Sequence, residues 1–495
     1  MRLYSQMRFV VLVVGLPWAV QAEDSVAPPP VHPGEFLMFD SLGKVVATPT
    51  NDIPAGLLPP DGLHLQIPTS ARGISEPELL RHRLEMGRLK QDGFTWFPAF
   101  APPLAPYFSG IDTFGNSAML PGPLIDSTPL DVWVQTVKYD LSAYGLKYSL
   151  QQTLTFLNMT GETHGEGTLG FYTFKWAGNW TVYSSSGGEE AGWLTWEMEV
   201  KNGFGAGRSQ SAKKNLGTLT NPSNVWSGRN GFELPQLAWQ QSFARGEVVM
   251  IAGIVDQGNY LDANAYANSG RGQFLNSALV NSMVLPLSSY NPAITLQWQP
   301  TREWYGQLGT SVGNGGPGQM PWDEFSPEYW SMVGEIGYTP DDVLGLGHGV
   351  YRVQPFIAQA DGPLQGGFGF NFQQRLGTHQ PFGVFGRFGV GGSTVVGGAS
   401  AQIGTGVVMQ APLKYVGLIE GQPNDAFGVA MVWSDPPEVS GQPPARQEWT
   451  MEVGYVFHLT PLVRLQPDLQ IVWDPAYQTQ TDHAVVFQMQ MDVSW

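Results

Sequence analysis

The carboxyl-terminal stretch Val485–Trp495, VVFQMQMDVSW, alternates between apolar and polar side chains. Successive side chains of a β-strand point to opposite faces, so this stretch predicts a strand with one apolar and one polar face. A strand of about 10 residues with this pattern crosses the bacterial outer membrane in a closed barrel, with its apolar face towards lipid. The end of the chain therefore predicts a transmembrane antiparallel β-barrel.

Other stretches repeat the pattern. Trp449–His458 and Val463–Trp473 alternate as clearly as the last strand, and period-two alternation continues, more weakly, back to about Val132. This favours one long all-β domain over several domains. The aromatic residue at the end of the last strand resembles the signal that outer-membrane assembly machinery reads, so we assign Phe487 and Trp495 to an assembly signal.

The composition also favours a barrel in lipid. Charged residues make up 14% of the chain, against about 25% in soluble globular domains. The 17 tryptophans suit the aromatic girdles at the two membrane interfaces, although a few of them could instead stack on a solute in the lumen. There is no cysteine, which excludes disulfides, thiolate metal sites and cysteine nucleophiles.

The net charge limits the class of partner. The 42 acidic residues outnumber the 25 basic ones, which argues against nucleic acid, because phosphate binding requires clustered lysine and arginine. The excess of acidic residues is compatible with acidic loops on the external side. It is equally compatible with a net charge whose only role is to keep a secreted protein soluble.

The amino-terminal part differs from the rest. Arg2 and Arg8 precede the apolar run Phe9–Ala19, so we expect residues 1–22 to be a secretory signal peptide. Residues 23–130 are rich in proline and predict a periplasmic or lumen-filling extension with one helix near residues 76–90. Residues 131–495 are predicted to form the barrel, with about 16 strands (16 to 18) at roughly 20 to 25 residues for each strand and its connection.

The connections are of two kinds. Thr460-Pro461 suits a short periplasmic turn, whereas 201–230, 313–327 and 434–447 suit external loops. A soluble β-sandwich would also alternate, with its apolar face buried. The low charge, the three consecutive alternating strands and Trp495 favour the barrel.

Several segments resemble the OprB family of carbohydrate-selective porins, found in the outer membranes of Gram-negative bacteria. The clearest are Ala265–Asn268 (AYAN) and Gln273–Val280 (QFLNSALV), preceded by Ala252–Asp256. Further segments follow in the family's order: Gly383–Gly389 (GVFGRFG), Asp425–Gly428 and Glu452–Pro475. The resemblance covers roughly residues 144–495.

This resemblance implies a 16-stranded barrel, monomeric or homotrimeric, that carries glucose and other small sugars by passive diffusion. The expected partners are these sugars as solutes, outer-membrane lipid and the outer-membrane assembly machinery. No phosphate-binding loop appears in the sequence, and we predict neither a cofactor nor a catalytic centre.

The polar residues of the alternating strands are the candidates for lining the pore. Arg387 stands out, since a long side chain on a glycine-rich strand can reach across the lumen. Such charges also neutralise one another along a barrel wall, and mixed signs favour neutral solutes. The candidates are Glu197, Glu199, Glu335, Arg352, Asn371, Arg387, Glu452, Arg464, Asp468 and Asp492.

Other interpretations stay open at this point. Glu197 and Glu199 share a strand face about 7 Å apart, as a pair of glycosidase carboxylates would, so an outer-membrane or secreted glycan-active protein is an alternative. A barrel with an export or structural role is another. The oxygen-rich loop 256–268 could hold Ca²⁺, although asparagine and aspartate are also ordinary turn residues.

Overall fold

The computed structural model describes residues 35–39, 45–49, 134, 137, 141 and 146–495, apart from 162–163, 185–189, 245–246, 302, 318, 320–325, 341, 361, 377–381, 393–397, 411, 416–424, 439–444 and 461. The predicted signal peptide 1–22 and the predicted helix near 76–90 lie outside the described residues. The chain forms two compact units, residues 1–64 and residues 65–495. The first contains an antiparallel pair of strands, β1 (Glu35–Phe39) and β2 (Val45–Pro49).

The second unit contains a closed barrel of sixteen antiparallel strands, each paired with its neighbours in sequence. This confirms the predicted fold class. The predicted strand Val463–Trp473 is found with those bounds. The strands are β3 Leu146–Thr160, β4 Thr168–Ser184, β5 Ala191–Phe204, β6 Gly231–Phe243, β7 Val248–Ile254, β8 Pro292–Trp298, β9 Trp304–Val312, β10 Trp330–Tyr338, β11 Gly349–Gln359, β12 Gln365–Leu376, β13 Phe382–Val390, β14 Ala401–Gln410, β15 Ala426–Asp435, β16 Glu448–His458, β17 Val463–Trp473 and β18 His483–Ser494.

The barrel closes where β18 pairs with β3. Beyond the last strand, the backbone of Trp495 exchanges two hydrogen bonds with Leu150, at 2.8 and 3.2 Å. The terminal residue is therefore part of the closing seam.

Exposure distinguishes this barrel from a soluble sandwich. On β10, Ile336 is 57% exposed whereas the adjacent Glu335 is 1% exposed. On β18, Phe487 is 46% exposed and Gln488 is fully buried. An apolar outer face and a polar inner face suit lipid outside and a polar lumen inside.

Aromatic residues lie on both faces of the barrel wall. Trp180, Trp298 and Trp304 are exposed on the outer surface, as expected of girdle residues. Trp193, by contrast, shares the inner face of β5 and is 3% exposed.

The two rims of the barrel differ in the length of their connections. The longest connections, residues 205–230 and 255–291, lie at one rim, and both ends of the barrel, Leu146 and Ser494, lie at the other. Because outer-membrane barrels have short periplasmic turns and longer external loops, the rim with both ends faces the periplasm.

The two longest connections fold into the barrel. We call residues 205–230, with helix α1 (Ala212–Leu216), the short inner segment. Residues 255–291, with a 3₁₀ turn Gln257–Asn259 and helix α2 (Ser277–Val280), are the long inner segment. A third helix, α3 (Pro412–Tyr415), follows β14. No helix in the described part of the chain has both the length and the hydropathy of a membrane span.

The short inner segment corrects one prediction. The sequence predicted an external loop for residues 201–230, but Leu216, Leu219 and Trp226 are buried. Trp226 stacks on Phe171 of β4, with ring centroids 5.0 Å apart. Apolar residues in a polar loop needed an apolar partner, which the inner face of the barrel provides.

Candidate functional site

Arg387 is the principal anchor of the long inner segment. Its Nε donates to both carboxylate oxygens of Asp262, at 3.0 and 3.2 Å. Its two terminal nitrogens donate to the backbone carbonyls of Asp262, Ala267 and Leu279. Every nitrogen of the guanidinium is thus engaged by the segment, and the side chain is 3% exposed.

Two buried carboxylates hold the segment by its backbone. Glu452 accepts the amide protons of Leu275 at 2.5 Å and Asn276 at 2.9 Å. Glu335 accepts the amide proton of Asp262 at 2.9 Å. A carboxylate accepting backbone N–H groups makes strong hydrogen bonds, so these wall residues fix the path of the segment.

The wall between Arg387 and Glu452, formed by β13, β14 and β15, is apolar where the long inner segment covers it. Tyr266 and Phe274 pack with Phe385, Val408 and Val432 of the inner face in one buried cluster. Gly383 and Gly428 have no side chain where these two rings lie, so the rings approach the wall directly. This sector of the lumen is filled by protein.

A polar cavity of about 260 Å³ lies on the other side of the long inner segment. The inner faces of β3, β4 and β5 form one wall, and both inner segments with Pro235 of β6 form the rest. Gln151 Nε2 and Asn281 Nδ2 are buried hydrogen-bond donors without a protein partner there. Donors of this kind can bind a hydroxyl group of a solute.

Ion pairs line this cavity. They are Lys175–Glu197 at 2.6 Å, Lys201–Glu199 at 2.6 Å, Lys201–Glu233 at 2.8 Å and Arg271–Glu199 at 2.9 Å. Arg271, near the middle of the long inner segment, also donates to the hydroxyls of Thr153 on β3 and Thr173 on β4, both at 3.2 Å. It thereby ties the segment to the cavity wall.

The ten residues predicted to line the pore are all buried side chains of the inner face, but the structure divides them into groups. Only Glu197 and Glu199 border the cavity. Others pair within the wall: Arg464 with Asp492 at 3.4 Å, Arg352 Nε with the hydroxyl of Tyr305 at 2.9 Å, and Asp468 Oδ1 with the side-chain amide of Gln470 at 2.9 Å. Glu335, Arg387 and Glu452 hold the long inner segment, and Asn371 Nδ2 donates to its Asp262 at 2.6 Å.

Sequence reasoning missed several charged residues that line or adjoin the cavity. Lys175 and Lys201 lie in phase with Thr173 and Glu199, so strict alternation would have found them. Glu233 lies out of phase with Gln236, because a register shift between β5 and β6 turns it inward. Such a bulge re-aims side chains and leaves no signal in the alternation. Arg271 belongs to a connection, where no period applies.

Two alternative interpretations lose support from this geometry. The carboxylates of Glu197 and Glu199 are each paired with a cation, whereas an acid catalyst needs a protonated carboxyl. In the loop 256–268, Asp262 binds Arg387 and Asn264 donates to Asn371 at 2.8 Å. The described residues contain no group of three or more histidine, aspartate or glutamate side chains that could hold a metal.

The closed barrel, its polar inner face and the segments that narrow its lumen define a channel of the porin class. The model of the OprB family, described as carbohydrate-selective porins, matches residues 187–366 and 358–495. The chain belongs to the OprB family. Family and fold place it in the outer membrane and indicate a transport channel rather than an enzyme.

Solved structures are similar in fold. The high-pH structure of Pseudomonas putida OprB is 16% identical with a TM-score of 0.58, over 73% of this chain and 96% of that chain. Its low-pH structure is also 16% identical, with a TM-score of 0.47, over 76% and 99%. Among curated proteins, an uncharacterized protein of Aquifex aeolicus (strain VF5) is 40% identical over 63 residues, 13% of this chain and 20% of that protein. The matched region therefore spans about a fifth of that relative.

Proposed function

We propose that the protein lets glucose and other small sugars diffuse passively across the outer membrane through the cavity beside β3–β5. The cavity carries this proposal. It combines cations, carboxylates and unpartnered amide donors, which together can replace the water around a sugar's hydroxyl groups. Membership of a family of carbohydrate-selective porins supports the same solute class.

The size of the cavity also favours a small solute. At about 260 Å³ it is below the roughly 300–1,000 Å³ of pockets that enclose drug-sized ligands. Passive diffusion needs a site that binds weakly enough to release its solute. Cations that are all ion-paired with wall carboxylates meet that requirement for an uncharged sugar.

The remaining predictions belong to the same proposal. Glu197 and Glu199 would border the path of the solute, and the other eight candidate residues would act by holding the wall and the inner segments in place. Residues 1–22 would direct export, residues 23–130 would form a periplasmic or lumen-filling extension, and the barrel would work as a monomer or a homotrimer.

Liposome swelling tests the proposal. Purified protein is reconstituted and swelling rates are compared in isotonic glucose, a disaccharide and a neutral amino acid. Faster influx of glucose than of an amino acid of similar size supports selective diffusion. Rates that follow size alone would reduce the protein to a general pore, and no swelling would favour an export, structural or enzymatic role.

Substitution of the cavity carboxylates separates a channel from an enzyme. Glu197→Gln and Glu199→Gln should change the conductance and leave glucose influx measurable, because a channel wall needs no particular proton donor. Glu438→Gln, at an exposed position, is the matched control. Hydrolysis of a glycan that both cavity variants abolish would instead support the glycan-active alternative.

A further inference from the structure

The charges around the cavity do not balance. Three cations, Lys175, Lys201 and Arg271, pair with the wall carboxylates Glu197, Glu199 and Glu233. A fourth carboxylate, Asp256, lines the cavity together with Glu197 and Glu199, whereas Glu233 adjoins it through its ion pair with Lys201. Among the residues that the structure describes, no cation forms an ion pair with it. Three positive charges against four negative ones leave a single negative charge, which Asp256 supplies.

Asp256 is held in place by hydrogen bonds rather than by a cation. Its Oδ1 accepts the amide proton of Gly258 at 3.1 Å and the hydroxyl proton of Ser289 at 2.9 Å. Both partners belong to the long inner segment, so the carboxylate stays at the cavity wall whether or not it is charged.

The surroundings of Asp256 disfavour its charge. Burial, together with the carboxylate of Glu197, raises the pKa of Asp256 to about 6. Lys175 of β4 acts in the opposite direction. Tyr260 and Tyr290 of the long inner segment also face it, but burial raises the pKa of both phenols, so neither adds charge. Asp256 is therefore mostly neutral at pH 5 and ionised at pH 7.5.

We propose that Asp256 determines the charge selectivity of the cavity and makes the channel favour neutral and cationic sugars over sugar acids. The inference rests on the proposed function, since it assumes that sugars pass this cavity. An anionic sugar next to an unpaired carboxylate is repelled, whereas a neutral sugar is not. Because the cavity is only about 260 Å³ in volume and Asp256 lines it, a sugar that passes comes close to that charge.

The test compares glucose with glucuronate, which differs by one carboxylate and is ionised at both pH values used. Initial influx of each labelled sugar into proteoliposomes is measured at pH 5 and pH 7.5. The ratio of glucuronate to glucose influx should fall by roughly fivefold at the higher pH, the effect of one unit charge about 4 Å away in a hydrated site. In Asp256→Asn, the ratio at pH 7.5 should stay at the value that the unmodified protein shows at pH 5.

Asp342→Asn is the matched control. Asp342 is exposed on the connection between β10 and β11, and it too accepts backbone amide protons, from Gly345 and Gly347. Its substitution should leave the pH dependence as in the unmodified protein. Faster migration of unboiled protein in gels verifies that each variant still forms a barrel.

Two results would overturn the inference: equal ratios at both pH values in the unmodified protein, or an Asp256→Asn variant that keeps the pH dependence. If glucose itself does not enter, the proposed function fails instead. The zero-current potential in a salt gradient then tests Asp256 without any sugar. Cation preference should rise between pH 5 and pH 7.5 and should not rise in Asp256→Asn, and a preference independent of pH would refute the role of Asp256.

Discussion

At the scale of single residues, Arg387 shows how a polar side chain on a barrel strand can act through another segment. Its position on a glycine-rich strand predicted a side chain that reaches across the lumen. It does leave the wall, but it ends on Asp262 and three backbone carbonyls of the long inner segment. Its expected influence on transport is therefore indirect.

We expect Arg387→Met to loosen the long inner segment and leave the barrel intact. Removing one partner of a buried ion pair costs about 3–5 kcal/mol, because the other charge stays buried and unpaired. Single-channel recordings should show larger and noisier conductance, with heat-modifiable gel migration unchanged. The double variant Arg387→Met, Asp262→Asn should recover part of the effect, and a quiet, unchanged channel in the single variant would contradict this anchoring role.

At the scale of elements, the strands and the inner segments obey different rules. Strands β16, β17 and β18 were predictable because alternation is a local property of extended backbone. The inner segments have no such period. Their positions depend on pairs far apart in the sequence, such as Glu452 with the amides of Leu275 and Asn276.

Glu452→Gln tests whether a wall carboxylate orders the long inner segment. The amide would turn an N–H group towards one of the two backbone amides, and a buried donor left without an acceptor costs about 1–3 kcal/mol. Hydrogen exchange at Leu275 and Asn276 should become faster while exchange in the strands stays slow. Glu438→Gln, on the exposed surface, should change hydrogen exchange neither at Leu275 and Asn276 nor in the strands. Unaltered exchange at Leu275 and Asn276 in Glu452→Gln would show that the Glu452 carboxylate is not needed to order the segment.

At the scale of the whole molecule, closure is the decisive property. A sheet that closes on itself has no unpaired edge, which the membrane interior requires. All sixteen strands of this barrel lie between Leu146 and Ser494. The closing pair of strands therefore joins residues near the beginning and the end of the barrel sequence.

Deletion of Trp495 should impair assembly. It removes two backbone hydrogen bonds to Leu150 at the seam and the terminal aromatic residue assigned to the assembly signal. The amount of heat-modifiable protein in the outer membrane should fall, whereas deletion of an exposed residue such as Leu344 should have little effect. Normal outer-membrane levels without Trp495 would remove the argument for this signal.

Deletion of Glu23 to Leu120 should leave the barrel able to assemble, since the sixteen strands close without that region. Heat-modifiable migration of the shortened protein is the measurement. Its loss would mean that the amino-terminal extension takes part in folding or insertion.

The sequence by itself determined the barrel, its lipid-facing and lumen-facing sides and its family. Each of these follows from period-two alternation or from ordered local motifs. It also identified inner-face residues such as Glu199 and Arg387, because the phase of a strand decides which side chains point inward.

Only the tertiary structure decided what those inner-face residues contact. Arg387 binds the long inner segment and Glu199 borders the cavity, although both are polar residues in the same phase. Asp256 and Arg271 reach the cavity through a folded connection, and Glu233 reaches Lys201 through a bulge, and neither feature follows the period of a strand. The difference is physical: alternation is imposed by the local backbone, whereas the contacts of a lumen depend on how a 37-residue connection, residues 255–291, folds back against the whole wall.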